Sequence, residues 1–191
     1  SAPLNISYSN IQCLNLSRDK LWVGTFSKGI DVLDLKTRQR RHYEKSDRPN
    51  SLVNNDIFAI YTDRRNTTWI GSSSGVSVYV PEIDGFRIFD RISASFISDI
   101  LEDSNGYIWF TTVNKGVIRY DPGSDAIRDF RHDPNNPTSL CYDRITCAFE
   151  DSKRRLWFAS EDGGFCLYNE VNETFTRVTT GQGLPSNVIC K

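Results

Sequence analysis

Short runs of β-branched and aromatic residues, separated by clusters of turn-forming residues, recur along the whole chain. In the unit around Trp109, the pattern predicts strands over residues 96–102, 107–112, 116–120 and 127–131. Turn formers such as Ser104, Asn105 and Gly106 separate the first two of these runs, which is typical of β-hairpins. No stretch of helix length has its apolar residues at positions i, i+3, i+4 and i+7, which argues against helical repeats. We therefore predict an all-β fold with four strands per unit.

The four tryptophans mark a repeat of 40 to 48 residues. They are Trp22, Trp69, Trp109 and Trp157. Each is followed by Val, Ile or Phe, then a small residue, then Thr or Ser, and a glycine stands six or seven residues after each tryptophan. In the last three repeats an aspartate stands six residues before the tryptophan, whereas the first repeat has a turn one residue shorter. Four short strands in each repeat of this length predict the blades of a β-propeller.

The strands are apolar on both faces, as expected for sheets that lie between two neighbouring sheets. The third strand of the last repeat, for example, reads Phe165, Cys166, Leu167 and Tyr168. One register of the first strands holds mostly small side chains, which suits the crowded inner part of a propeller. Its members are Cys13, Ala59, Asp99, Cys147 and Cys190.

The repeated residues have structural roles in this interpretation. Each tryptophan fills the gap against a neighbouring blade, and the glycine permits the tight turn into the third strand. The hydroxyl that follows the tryptophan bonds locally. Asp103 and Asp151, which recur at the same place in the turn, are interpreted as hairpin caps.

The segment EDSNGYIWFTTVNKGVIRYD (102–121) resembles the repeats of the two-component regulator propeller family. The segments at 150–169 and 62–80 resemble the same repeat more loosely. The connections at 50–57 and 138–145 resemble the family's loop into each new inner strand. The resemblance covers residues 11–191, with four copies in phase.

The resemblance implies a function in signal input. In that family such repeats form the extracytoplasmic, periplasmic sensor region of membrane-anchored hybrid histidine kinases, whose signals are often oligosaccharides. It implies that this chain is a ligand-sensing segment without catalytic activity of its own, and that a kinase lies elsewhere in the full-length protein. Two alternatives remain open at this point: a protein-interaction propeller without a small ligand, and a propeller-based lyase or glycosidase.

We expect a single β-propeller segment with repeats at 11–55, 56–95, 96–143 and 144–187 and the start of a fifth at 188–191. In the resembling family seven-bladed propellers are usual, so we expect an open part of a larger propeller whose partners are the remaining blades. Exposed apolar faces on the end blades would favour self-association. A self-closed ring of four blades is the alternative.

Composition and charge exclude several other classes. The formal net charge is −1 without a basic stripe, so nucleic-acid binding is not expected. No apolar run approaches 18 residues, so no membrane contact by this segment is expected. The five cysteines form no CxxC pair, and the two histidines lie in different repeats. We therefore expect buried free cysteines, no metal site and no cofactor.

No paired carboxylates or nucleophile–base set is recognisable, so no catalytic residue is assigned. Four residues are weak candidates for ligand binding: Asp99, Arg119, His132 and Tyr142. Asp99 interrupts the register of small residues on the first strands, and Arg119 interrupts the apolar pattern of the third strands. Their structural interpretation is an Asp–Arg link within the third blade. His132 and Tyr142 lie in a connection rich in proline and asparagine, where they serve either a sugar site or a solvated blade linker.

Overall fold

The computed structural model describes Ile6, residues 8–93 and residues 95–189. The chain forms two compact units, Ser1–Ile97 and Ser98–Lys191. Of the fifth-repeat start predicted at 188–191, Cys190 and Lys191 lie outside the described residues.

The first unit contains two four-stranded antiparallel sheets, each with its strands in sequence order. The first sheet consists of β1 (Ile11–Ser17), β2 (Lys20–Thr25), β3 (Ile30–Asp34) and β4 (Arg40–Tyr43). The second sheet consists of β5 (Ile57–Thr62), β6 (Thr68–Ser72), β7 (Gly75–Val80) and β8 (Gly85–Ser93).

The second unit contains the other two sheets, with the same order and direction of strands. The third sheet consists of β9 (Ile97–Glu102), whose first residue belongs to the first unit, β10 (Ile108–Thr112), β11 (Val117–Asp121) and β12 (Ala126–Phe130). The fourth sheet consists of β13 (Ile145–Glu150), β14 (Leu156–Ser160), β15 (Phe165–Asn169) and β16 (Thr174–Val178).

The all-β architecture predicted from the sequence is confirmed. The strands of the third sheet begin and end within one residue of the predicted bounds. Among the described residues there is no α-helix, only the short 3-10 turns Pro81–Ile83 and Thr180–Gln182. No helix in the described part of the chain has the length and apolar character needed to cross a membrane.

The turn between the second and third strand is built in the same way in all four sheets. A Thr or Ser hydroxyl at the end of the second strand donates a hydrogen bond to the carbonyl of the glycine that precedes or opens the third strand. The pairs are Thr25–Gly29 at 2.9 Å, Ser72–Gly75 at 2.9 Å, Thr112–Gly116 at 3.0 Å and Ser160–Gly164 at 2.8 Å. These four glycines have positive φ, which only glycine adopts without strain.

The aspartate and tryptophan of each of the last three repeats are hydrogen-bonded to each other. The indole Nε1 donates to the aspartate Oδ2 at 2.9 Å in Trp69–Asp63, 2.7 Å in Trp109–Asp103 and 3.1 Å in Trp157–Asp151. The other carboxylate oxygen accepts the backbone N–H groups two and four residues later, for Asp103 those of Asn105 and Tyr107. The interpretation of these aspartates as turn residues is therefore confirmed.

Trp109 is the centre of the core of the second unit and is fully buried. Its ring lies 5.6 Å from that of Phe130 on the same sheet, and 5.3 Å and 5.0 Å from those of Phe158 and Tyr168 on the fourth sheet. Trp22 and Trp69 are also buried, whereas Trp157 is half-buried. The predicted packing role of the tryptophan is therefore confirmed most clearly at Trp109.

The small residues predicted on the first strands pair with small residues on the second strands. Cys13 pairs with Gly24, Ala59 with Gly71 and Cys147 with Ala159. A Cβ on Gly24 would lie 2.5 Å from the Cys13 Sγ, so this region is closely packed. None of the four described cysteines forms a disulfide. Cys141 and Cys166 are buried as expected, whereas Cys13 and Cys147 are only half-buried, and Cys190 lies outside the described residues.

Each unit exposes large apolar side chains on its strands. In the first unit they include Leu14 and Leu16 on β1 and Ile88 on β8. In the second unit Phe149 on β13 is 62% exposed beside an open groove of about 390 Å³. The self-association expected from such faces stays a prediction.

Candidate functional site

Arg119 on β11 joins the third sheet to the fourth. Its side chain is only 16% exposed; Nη1 donates to the Tyr168 hydroxyl at 2.9 Å, and Nη2 donates to Glu173 Oε1 at 2.9 Å. The expected link between Asp99 and Arg119 within the blade is therefore wrong. Arg119 stands in register with Trp109, whose ring packs on the fourth sheet, so the guanidinium also leaves β11 towards that sheet.

Aromatic rings surround the Arg119 guanidinium. Its central carbon lies 4.7 Å from the ring centroid of Tyr107 and 5.7 Å from those of Trp109 and Phe130. Arg128, on the neighbouring strand, forms a second ion pair with the same Glu173. A largely buried cation that is paired and stacked in this way holds the two sheets together.

The Arg119 side chain lines two separate spaces. One is a cavity of about 40 Å³ whose lining includes Tyr107, Glu150 and Tyr168. The other is a groove of about 380 Å³ whose lining includes Tyr107, Asp121 and Arg128. Arg119 lines both, so a ligand in the groove would meet Arg119.

Asp99 on β9 also contacts the neighbouring sheet. Its Oδ2 accepts a hydrogen bond from the backbone N–H of Ala148 on β13 at 3.2 Å. The carboxylate therefore satisfies a backbone donor on the first strand of the fourth sheet. Whether Asp99 also contacts a ligand stays a prediction.

His132 and Tyr142 come close together in the connection between β12 and β13. The His132 backbone N–H donates to Asp143 Oδ1 at 2.8 Å, and its Nδ1 lies 2.8 Å from the carbonyl oxygen of Leu140. Because a carbonyl only accepts, Nδ1 carries the proton. The ring centroids of His132 and Tyr142 are 6.4 Å apart. These contacts hold the connection in shape and favour its structural interpretation, while the sugar-site interpretation stays a prediction.

Replacing Arg119 by alanine is expected to lower the free energy of unfolding by about 2–4 kcal/mol, because Glu173 and Tyr168 lose a buried partner and three rings lose their contact. Arg128→Ala is the matched control, since the Arg128 side chain is 54% exposed and its ion pair contributes less. Chemical denaturation of both variants measures the difference. Equal losses for the two variants would refute the structural role of Arg119.

The equivalent turn aspartates Asp103 and Asp151 are in different electrostatic environments. Burial raises the pKa of Asp103, with a contribution from the nearby Glu150, and the hydrogen bonds from Trp109, Tyr107 and Asn105 offset it only in part. For Asp151, burial is the largest single effect and raises the pKa, but hydrogen bonds from Arg155, Trp157 and Lys153 together lower it below its ordinary value.

Asp151→Asn is expected to make the protein less sensitive to acid. Because the folded-state pKa of Asp151 is lowered, its stabilising contribution is present above the ordinary value of 3.8 and is lost as the pH falls below it. Wild-type protein should therefore lose more unfolding free energy than the variant between about pH 5 and pH 2. Denaturant titrations across this range measure the slope, with the exposed Asp162→Asn as control. A variant as acid-sensitive as wild type would contradict the assignment.

Sequence reasoning missed a cluster in the first unit. Asp84 Oδ1 accepts hydrogen bonds from the Tyr43 hydroxyl at 2.6 Å and from the Tyr79 hydroxyl at 2.8 Å, and Arg41 forms an ion pair with the same carboxylate. The sequence contains a signal for this cluster, because Asp84 stands five residues after Tyr79, the large side chain of the third strand in its repeat. Asp125 and Glu173 occupy the same place in the next two repeats, and all three have positive φ.

The described residues contain no group of three or more His, Cys, Asp or Glu side chains that could hold a metal ion. The polar clusters at the sheet edges are instead ion pairs and tyrosine–carboxylate hydrogen bonds. Such groups can bind the hydroxyls of a polar ligand without a cofactor.

The fold and the repeated turn define a β-propeller. The family model described as two-component regulator propeller matches residues 51–74 and 91–114. Two segments of the chain therefore match the two-component regulator propeller repeat, in agreement with the resemblance found in the sequence.

Three known proteins resemble the chain over most of its length. Histidine kinase P4 from Formosa agariphila is 26% identical over 172 residues, which is 85% of this chain and 12% of that protein. The extracellular domain assigned to the hybrid two-component system BT4673 from B. thetaiotaomicron has a TM-score of 0.78 at 21% identity, covering 99% of this chain and 25% of that one. Virginiamycin B lyase from Staphylococcus aureus has a TM-score of 0.62 at 16% identity, covering 93% of this chain and 58% of that one.

These matches differ in what they show. At 21% and 16% identity, the two solved structures show the fold alone. The chain spans about an eighth of the histidine kinase and a quarter of the extracellular domain.

Proposed function

We propose that this chain is a ligand-sensing segment in the extracytoplasmic, periplasmic region of a membrane-anchored hybrid two-component sensor. The observation that carries the proposal is the 26% identity to histidine kinase P4 over 85% of the chain, in a segment with regulator propeller repeats. The likeness in fold to the extracellular domain of a hybrid two-component system supports it. The chain would supply signal input, and the kinase activity would belong to another part of the protein.

The signal that we propose is an oligosaccharide from polysaccharide breakdown. The edges of the sheets in both units present tyrosines beside carboxylates and guanidinium groups. Aromatic rings with polar tips, next to charged hydrogen-bonding groups, suit the apolar faces and the many hydroxyls of a sugar.

The test is calorimetric titration of the complete extracytoplasmic region with a library of neutral and acidic oligosaccharides. Saturable heat with at least one glycan is expected, with heat-denatured protein as the control. No saturable heat with any glycan, together with a protein that copurifies at a fixed stoichiometry, would overturn the proposal in favour of an interaction scaffold.

An enzymatic function is the second candidate, because the chain also shares its fold with virginiamycin B lyase. The turn carboxylates Asp103 and Asp151 are bonded to indole and backbone N–H groups, which leaves them poorly suited to general acid–base chemistry. The glycan samples from the titration distinguish the two functions. Unchanged glycans after prolonged incubation support sensing, and cleaved products would support catalysis.

A further inference from the structure

A cavity of about 270 Å³ lies between the first and second sheets of the first unit, at their outer edge. We call it the edge cup and define it by Trp22, Val32, Tyr43, Tyr79 and Asp84, which are part of its lining. It lies entirely within one compact unit. None of the residues singled out from the sequence as ligand candidates belongs to it.

The floor of the edge cup is apolar and aromatic. Trp22 and Val32 are buried, with 3% and 6% of their surface exposed. The ring of Tyr79 meets that of Trp22 edge-on at 5.0 Å, and Tyr43 lies 6.1 Å from Tyr79. Both phenol hydroxyls donate to Asp84, so the two rings are held in place.

The polar wall of the edge cup is balanced in charge. It contains the cations Lys20 and Arg41, the anions Asp34 and Asp84, and the amide of Gln39. Asp34 is oriented by backbone N–H groups that donate to its Oδ1. Two positive and two negative groups give no net attraction to a charged ligand, while all five side chains are able to bond hydroxyl groups.

The equivalent place in the second unit shows what keeps the edge cup open. Val32 stands in register with Trp22 as Arg119 stands in register with Trp109. In the second unit the Arg119 guanidinium reaches to 5.7 Å from the Trp109 ring centroid, and the 380 Å³ groove that Arg119 lines has neither Trp109 nor Tyr168 in its lining. In the first unit valine is too short to do this, and Trp22 and Tyr79 line one cavity together with the polar wall.

We propose that the edge cup binds a neutral saccharide of one or two rings. A floor with aromatic rings fits the C–H face of a sugar, and the wall fits its hydroxyls. The volume lies just below the range of pockets for drug-sized ligands, which limits the ligand to a small one. This inference rests on the proposed sensing of oligosaccharides and assigns it a site and a ligand class.

The test is titration of the chain with cellobiose, maltose and xylobiose, followed by the NMR resonance of the Trp22 indole, with glucuronic acid as the charged comparison. At least one neutral disaccharide is expected to shift this resonance in a saturable way. Val32→Arg, which copies the residue found at the equivalent place in the second unit, is expected to weaken binding at least tenfold.

Lys20→Ala and Gln39→Ala test the same site without a change in the core, since both side chains are exposed. Each is expected to weaken binding about threefold or more, with the exposed Lys153→Ala in the second unit as a control without effect. These variants keep the test valid if Val32→Arg does not fold.

The outcomes separate this inference from the proposed function. Binding that survives all three edge-cup substitutions, or a preference for glucuronic acid, would overturn the edge cup as a neutral-sugar site. Binding by the complete extracytoplasmic region but not by this chain would also overturn the edge cup and leave the sensing function standing. No glycan binding by either protein would overturn both.

Discussion

Replacing Gly116 by alanine is expected to lower the free energy of unfolding by about 3–5 kcal/mol. Gly116 has a φ of +68°, which is unfavourable for any residue with a Cβ. An added Cβ would lie 2.2 Å from the carbonyl oxygen of Phe130 and 3.0 Å from Leu140 Cδ2. The carbonyl belongs to the backbone of the adjacent strand, so the clash is relieved only by moving the sheet. Urea denaturation followed by tryptophan fluorescence measures the loss.

Gly181→Ala is the matched control for this substitution. Its φ is not in the left-handed region, and the nearest atom to an added Cβ is the Thr179 Oγ1 at 3.5 Å, an ordinary contact. We expect a change within about 0.5 kcal/mol. A Gly116→Ala variant as stable as Gly181→Ala would contradict the turn geometry on which every blade depends.

Replacing Asp103 by alanine is expected to cost about 3–5 kcal/mol of unfolding free energy. The carboxylate accepts from the indole of Trp109 at 2.7 Å and from the backbone N–H groups of Asn105 and Tyr107. Trp109 is fully buried, so its Nε1–H would lose its partner without access to water. The same denaturation measurement applies, together with the loss of the protected Trp109 indole proton in hydrogen exchange.

Asp151→Ala removes the same set of contacts at a more exposed site and is the comparison for Asp103. Its tryptophan partner, Trp157, is only half-buried, so water can replace the lost carboxylate. A clearly smaller loss than for Asp103→Ala is expected. If the two losses were equal, burial of the tryptophan would not be what makes the aspartate important.

The four-stranded sheets were predictable from the sequence because the same pattern of strands and turns recurs in each repeat. The strands around Trp109 were placed within one residue, since hairpin turns are set by local residues such as Asp103 and Gly116. Four copies in phase remove the ambiguity of any single copy. Local chemistry that recurs is therefore enough to place both the strands and the turns.

The contacts between sheets were not predictable in the same way. The partners of Arg119 lie 49 and 54 residues away along the chain, and the Asp–Arg link expected within one blade was wrong. Which residue Arg119 bonds to depends on the face of β11 that carries its side chain and on the residues of the next sheet that lie opposite that face. The edge cup was missed for the same reason, because Tyr43 and Asp84 meet only when two sheets pack.

Candidate site residues chosen as exceptions to a repeat turned out to be joined to the protein itself. Arg119 pairs with Glu173, and Asp99 bonds to the Ala148 backbone. A polar residue in an apolar register needs a partner, and a neighbouring blade supplies one as readily as a ligand does. At the edge cup the register keeps its usual apolar residue, Val32, where the second unit has Arg119, and the cavity contains both Trp22 and Tyr79 in its lining.

The most direct test of the four-blade account is a NOESY measurement on isotope-labelled protein. The account predicts cross-strand contacts between each tryptophan and its register partner on the third strand. The pairs are Trp22–Val32, Trp69–Val78, Trp109–Arg119 and Trp157–Leu167. Four such sets of contacts would confirm four copies of one sheet. Helical contacts between residues three apart around any tryptophan, or its pairing with a different strand, would contradict it.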